Sequence, residues 1–230
     1  MRMVQYATGA KEKKARQEDI LAAALSLFLE DTRRAPSVAA IAAKAGLAKG
    51  TVYLYFDGKE QVFASLLVRE WRGFIELVKR YFETASGTPE RIVADFIAGY
   101  AGYIASHPAL MRLDSMGYAV LEPNLPEDKL LTFKMELAAV LDEAGTVVDR
   151  ALSLEPGRGV KLLVAGFAMT RGLWQINDLP DAVLLSPEYA LHPFSRLDFA
   201  PDLVCALVDY WRGAWGDFPA PEGPDPQGLL

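Results

Sequence analysis

Between residues 16 and 215 nearly every segment has apolar side chains returning every three or four positions, and no stretch alternates in the manner of a half-buried strand. That regularity restricts the chain to packed helices, so the fold class is all-α. The periodic stretches predict about nine helices, over residues 16–30, 38–45, 49–56, 58–84, 89–106, 108–120, 126–152, 159–177 and 201–215. Their boundaries carry chemical signals. Ser37 can cap the second helix, and Gly46 suits the left-handed backbone that ends it. Asp57 and Glu60 have the spacing of a capping box, and Thr88-Pro89-Glu90 reads as a cap, a first-turn proline and an acidic first turn. Glu155-Pro156-Gly157 breaks one helix before the next begins.

Charge divides the chain unevenly. Residues 1–59 carry ten Lys or Arg and six acids, or +4, out of 24 basic and 30 acidic residues in all. The remaining fourteen basic and twenty-four acidic side chains give −10. A basic head on an acidic body attracts a polyanion at one end and discourages nonspecific wrapping. The lone Cys205 excludes an intrachain disulfide or a cysteine metal cluster. His107 and His192 each precede a proline, which reads as a structural helix exit or loop; His107 with Asp114 lacks a nearby nucleophile. No Gly-rich phosphate loop, His-Glu metal pattern or serine elbow appears, so no enzyme, cofactor or metal is expected. No apolar run is long enough to span a membrane, and the N-terminus lacks a secretory pattern, so a cytoplasmic setting is expected.

Residues 37–59, SVAAIAAKAGLAKGTVYLYFDGK, say most about function. Two short helices joined at a glycine are the minimum for setting one helix into a DNA major groove. Ile41, Ala45, Leu47 and Val52 can form the core between them, with small Ala42 allowing close approach. Lys49, Thr51, Tyr53 and Tyr55 offer an ammonium, a hydroxyl and two phenols on the outward side, groups that reach phosphates and base edges. Lys59 falls in the first turn of the fourth helix, where free backbone N–H groups favour a phosphate.

The segment IAAKAGLAKGTVYLYFDGKEQVF, after a helix ending LAAALSLFLED, resembles the TetR/AcrR family of transcriptional regulators over about residues 14–70. The resemblance implies that Ser37, Lys49, Gly50, Thr51, Tyr53, Tyr55 and Lys59 lie at the DNA surface, with Phe56 anchoring the recognition helix. Ala48 stands where the family often has a capping Ser or Thr, and Ala39 and Ala40 where some relatives touch DNA. Arg33 and Arg34 occupy a loop lacking the family's usual glycine, and either contact phosphate or are solvated.

The expected organisation is a flexible basic arm (1–13), a helix-turn-helix domain (14–60), a connecting fourth helix (58–84), a ligand-binding and dimerisation body (61–217) and a disordered Pro/Gly-rich tail (218–230). Tyr100, Tyr103, Met111, Met116, Tyr118, Phe133, Met169 and Trp174 are candidates for an effector pocket, or else simply core. Val164, Phe167, Leu207, Trp211 and Trp215 are candidates for a two-fold interface between copies. The chain is thus expected to be a homodimeric repressor, released from a palindromic double-stranded DNA operator by a small apolar or amphipathic molecule. An architectural DNA-binding protein and a small-molecule enzyme are the rival readings.

Overall fold

The computed structural model describes residues 2–215, with side chains described over 11–214; the side chain of Trp215 and the expected tail 218–230 lie outside the described residues. Among those residues the secondary structure is helical throughout, without strands. The head is built from α1 (Arg2–Glu30), α2 (Val38–Lys44) and α3 (Lys49–Tyr53). α4 (Lys59–Thr84) leads into α5 (Pro89–Ser106), α6 (Pro108–Met116), α7 (Glu127–Leu152) and α8 (Arg158–Asn177). Two short turns, α9 (Asp181–Leu184) and α10 (Pro187–Leu191), precede α11 (Phe199–Trp215). These two make the difference from the nine expected helices, because four- and five-residue segments are too short to display a period. α1 starts at Arg2, so helix occupies the stretch expected to be an arm.

Local chemistry accounts for most boundaries. Ser37 Oγ accepts from Ala40 N–H at 3.2 Å, and Gly46 takes φ +68°. Thr88 Oγ1 accepts from Arg91 N–H, with Pro89 in the first turn. At α4 the expected pairing of Asp57 with Glu60 is replaced: Gly58 holds the cap position, and Gln61 Oε1 accepts from Asp57 N–H at 2.6 Å. The helix starts one residue late for Asp57 to cap it. Between α7 and α8, Ser153 and Gly157 both adopt positive φ. The Asp149 carboxylate accepts from the Gly157 and Gly159 N–H groups, satisfying donors that the start of α8 leaves open.

One apolar core runs from Ile20 to Trp211. In the head, Ile20, Ala24 and Phe28 of α1 meet Ile41, Val52 and Phe56, all buried. α4 continues that core: Phe63 stacks edge-on against Phe28, while Trp71 and Phe74 pack on Phe167 of α8. α4 lies along α7, and α7 crosses α8 where two glycines face each other. A Cβ on Gly145 would meet Val160 N at 2.7 Å, and one on Gly159 would strike the Gly145 carbonyl oxygen. Glycine is therefore dictated by backbone approach at this crossing. Gly159→Ala is expected to destabilise the fold by roughly 1–3 kcal/mol through overpacking, read as a lower denaturant midpoint. An unchanged midpoint would show that the crossing can relax.

Candidate nucleic-acid interface and effector cavity

α3 is shorter than its sequence period implies. It ends at Tyr53, and Leu54 caps it. As expected from Ala48, the first turn has no side-chain cap. Val52 and Phe56 turn inward and fix the helix to the head; Lys49, Gly50 and Tyr53 face solvent, and Thr51 is half-buried. Tyr53 keeps 48% of its surface exposed, with Lys49 Nζ lying 6.0 Å from its ring centre. Ser37, whose hydroxyl is committed to capping α2, is exposed. Lys59 is exposed at the start of α4 and lies 3.9 Å from Glu60.

Two residues differ from the outward set expected. Tyr55 is half-buried and packs against the core, because it lies three positions after buried Val52 and shares that side of the chain. Leu54 is instead 76% exposed. An apolar side chain held in water beside Tyr53 can contact a thymine methyl. Its sequence signal, a leucine between two tyrosines, points equally well to core. Arg33 turns away from the head surface: Nη2 donates to the Leu179 carbonyl at 3.2 Å and approaches Asp181. It ties the α1–α2 loop to the body.

Within the body, a cavity of about 150 Å³ opens between α4, α6, α7 and α8. Tyr118 and Phe133 line it, as does Val164. The other six pocket candidates lie elsewhere. Tyr100 is buried with its hydroxyl 2.7 Å from Thr170 Oγ1, and burial pushes its phenol well above the ordinary range. Tyr103 stacks on His107, Met111 is buried, and Met116 and Met169 are half-buried against the core. Trp174 carries the Arg112 guanidinium at 4.7 Å, while Arg112 grips Asp178 with two hydrogen bonds. These aromatic and sulfur-bearing side chains fill space between helices.

The cavity's polar wall was not legible as a set. Asp114, 3% exposed, accepts from Trp71 Nε1 at 3.3 Å and from Arg171 Nη2 at 2.9 Å, with Arg171 Nε as a further donor. Arg171 also lies over the Tyr118 ring at 4.7 Å, and Lys134 approaches that ring while binding Glu122. α6 opens here into a wide π turn over Gly117–Leu121 rather than continuing as α-helix. A Cβ at Gly117 would press Leu67 of α4 at 3.2 Å, so α4 and this turn are in close register. A charged residue flanked by apolar neighbours, Asp114 after Leu113 and Arg171 within the run from Leu162 to Leu173, was the available signal. Which partners they find depends on the packing. His107 serves the α5–α6 corner, and His192 Nδ1 accepts from Phe194 N–H; both are structural.

Of the interface candidates, Phe167, Leu207 and Trp211 are buried within the protomer's own core, because the face of α8 that carries Phe167 packs on α4, and α11 turns Leu207 and Trp211 inward. Val164 remains 49% exposed. Beside it on the exposed side of α8 are small Ala165 and Ala168, the latter also bordering the cavity, with Lys161, Gln175 and Ile176 exposed toward the helix ends.

Two predictions test these assignments. A methyl group at Gly50 would meet nothing within 4 Å, so Gly50→Ala should leave thermal stability unchanged or slightly raised. Any loss of DNA affinity in that variant then reports close approach of a phosphate or base edge, whereas full affinity removes Gly50 from the interface. Asp114→Ala should cost about 3 kcal/mol by leaving Arg171 without its counterion, and adding Arg171→Met should recover most of it. A double variant as unstable as the single would mean that the pair contributes through Trp71 alone.

Comparison with known proteins agrees with this architecture. Residues 20–66 match the family of bacterial regulatory proteins, tetR family, and residues 68–216 match the tetracyclin repressor-like C-terminal domain. The chain is 32% identical over 82 residues to the fatty acid metabolism regulator protein of Bacillus subtilis (strain 168), covering 36% of this chain and 42% of that protein. It is 35% identical over 102 residues to the HTH-type transcriptional repressor KstR2 of Rhodococcus jostii (strain RHA1), covering 43% and 48%. The matches thus span less than half the length of either relative. Among solved structures, the fatty acid degradation regulator FadR of Bacillus halodurans superposes with TM-score 0.53 at 18% identity, covering 84% of this chain and 93% of that one. A protein of unknown function from Rhodococcus sp. RHA1 does so with TM-score 0.54 at 16% identity, covering 86% and 94%, and both share the fold. With family matches accounting for nearly all of residues 20–216, the chain belongs to the TetR family of bacterial regulatory proteins.

Proposed function

We propose that the chain is a ligand-responsive, sequence-specific DNA-binding regulator, a repressor that leaves a palindromic operator when a small apolar or amphipathic molecule binds the body. The observation that carries this reading is the path of α4. Its first turn carries exposed Lys59, six residues after the end of α3 at Tyr53, and its middle supplies Leu67 and Trp71 to the cavity wall. Both curated relatives are named as regulators, one of fatty acid metabolism, the other as a repressor.

The cavity as it stands holds little more than a small ring. A larger effector must part α4 from the π turn and α7, and it prefers the conformer in which they are apart. Its binding free energy then shifts the population away from the DNA-competent form. A second copy placed against the small outer strip of α8 would give two recognition helices related by a two-fold axis, about one DNA turn (~34 Å) apart. Among the described residues no helix is long and apolar enough to cross a membrane.

Selection from random duplex DNA with the purified chain at physiological salt tests the reading. A recovered palindrome, lost or weakened at least tenfold with Tyr53→Ala, is the expected outcome. A broad, sequence-independent footprint would replace the regulator with an architectural DNA-binding protein.

A further inference from the structure

Residues 37–59 contain no Arg, Asn or Gln, the side chains that with Lys read guanine and adenine by paired hydrogen bonds. Three lysines remain in the segment, and two of them have other company. Lys44 Nζ lies 3.3 Å from Glu30, and Lys59 Nζ lies 3.9 Å from Glu60. Only Lys49 belongs to α3. Asp57, the segment's single acid, is exposed but falls beyond the end of α3. Thr51 and Tyr53 add hydroxyls, each able to meet either a donor or an acceptor, which separates the bases weakly. The recognition helix is therefore poor in groups that read base edges by hydrogen bonding. A sequence-specific regulator built on it needs another means of reading.

What α3 presents instead is apolar. Leu54 is more exposed than any other large apolar side chain described in the head. Its place is fixed by the helix: it holds φ −75° and ψ −15°, and its N–H donates to the Thr51 carbonyl at 3.1 Å. Buried Val52 and Phe56, two residues before and after it, pin that turn to the core. Residues four apart share a helix face, so α3 shows two adjacent rows, Lys49 with Tyr53 and Gly50 with Leu54. A Cβ at Gly50 would meet nothing within 4 Å, so the second row is bare up to Leu54. Leu54 also borders an open concavity against α1, where Lys13 and Arg16 are balanced by Glu12 and Asp19. That wall offers neither a net charge nor a cover for the leucine.

We propose that Leu54 is a specificity-determining residue that reads thymine, by seating its side chain against the methyl group of that base. The proposal rests on the sequence-specific regulator reading above, and it states what the operator must contain. The thymine methyl is the one apolar group that a base edge offers in the major groove. Cytosine in its place offers a hydrogen at that carbon and an amino donor beside it. A leucine over that donor strips its water and gives no acceptor in return, so the wrong base is penalised as well as unrewarded. Lys49, in the adjacent row, supplies charge that holds the helix near the phosphates. Each half of a palindrome then carries a thymine at the same place, one for each copy of Leu54.

Uracil differs from thymine only by that methyl, so deoxyuridine tests the contact directly. The palindrome recovered by selection is remade with each thymine replaced in turn, in both halves, and the affinity of the full chain is measured. One position should lose about fourfold per methyl, and so about fifteenfold with both halves changed. Leu54→Ala, altered at an exposed position, should keep its thermal midpoint and bind the thymine and uracil duplexes equally there. Full affinity for every uracil duplex would overturn the reading, as would a Leu54→Ala variant that still prefers thymine at that position. In either case the selected palindrome leaves the regulator itself standing. A selection that recovers no sequence removes both, because Leu54 then has no base to choose.

Discussion

Everything in this chain depends on α4 being one uninterrupted helix. Its 26 residues span about 39 Å at 1.5 Å per residue. Over that length its buried face belongs first to the head, through Val62, Phe63 and Leu66, and then to the body, through Trp71, Phe74 and Val78. A helix transmits rotation and tilt without absorbing them, because each turn is hydrogen-bonded to the next. A change in packing at Trp71 can therefore reach the first turn of α4, where Lys59 lies. With a break at Gly73, the two halves would share only contacts.

Polar groups refine what the apolar core begins. The buried Asp114 links α4, through Trp71, to α8, through Arg171. Arg112 joins α6 to Asp178, the residue that ends α8, and Arg33 joins the head loop to the Leu179 carbonyl just beyond it. Placing charges in low dielectric costs free energy unless each finds its partner. Helices held by such pairs have fewer acceptable arrangements than helices held by leucines alone, and discrete arrangements are what a switching protein requires.

The head and the body differ in how they expose chemistry. α3 is small and rigidly anchored, and it leaves Lys49, Tyr53 and Leu54 outside with little else to do. The body hides its aromatic residues. Phe74, Phe96, Tyr100 and Trp211 form a chain of edge-to-face contacts, which fill the space between helices and leave only a small void beside Tyr118.

The sequence by itself determined nine of the eleven helices among the described residues, the caps at Ser37 and Thr88 and the inward face of the head. Those depend on neighbours within four residues: Ser37 and Ala40, Thr88 and Arg91, Val52 and Phe56 on one side of α3. Tertiary structure decided the rest. Whether an aromatic residue is core or cavity depends on helices far away in the chain, so Tyr118 and Phe133 could not be told from Tyr100 or Met111 by period or type. The Asp114–Arg171 pair joins positions 57 residues apart. Periodicity reveals which face of a helix is buried. Only the packing reveals against what, because burial is a property of one helix and a site is a property of several.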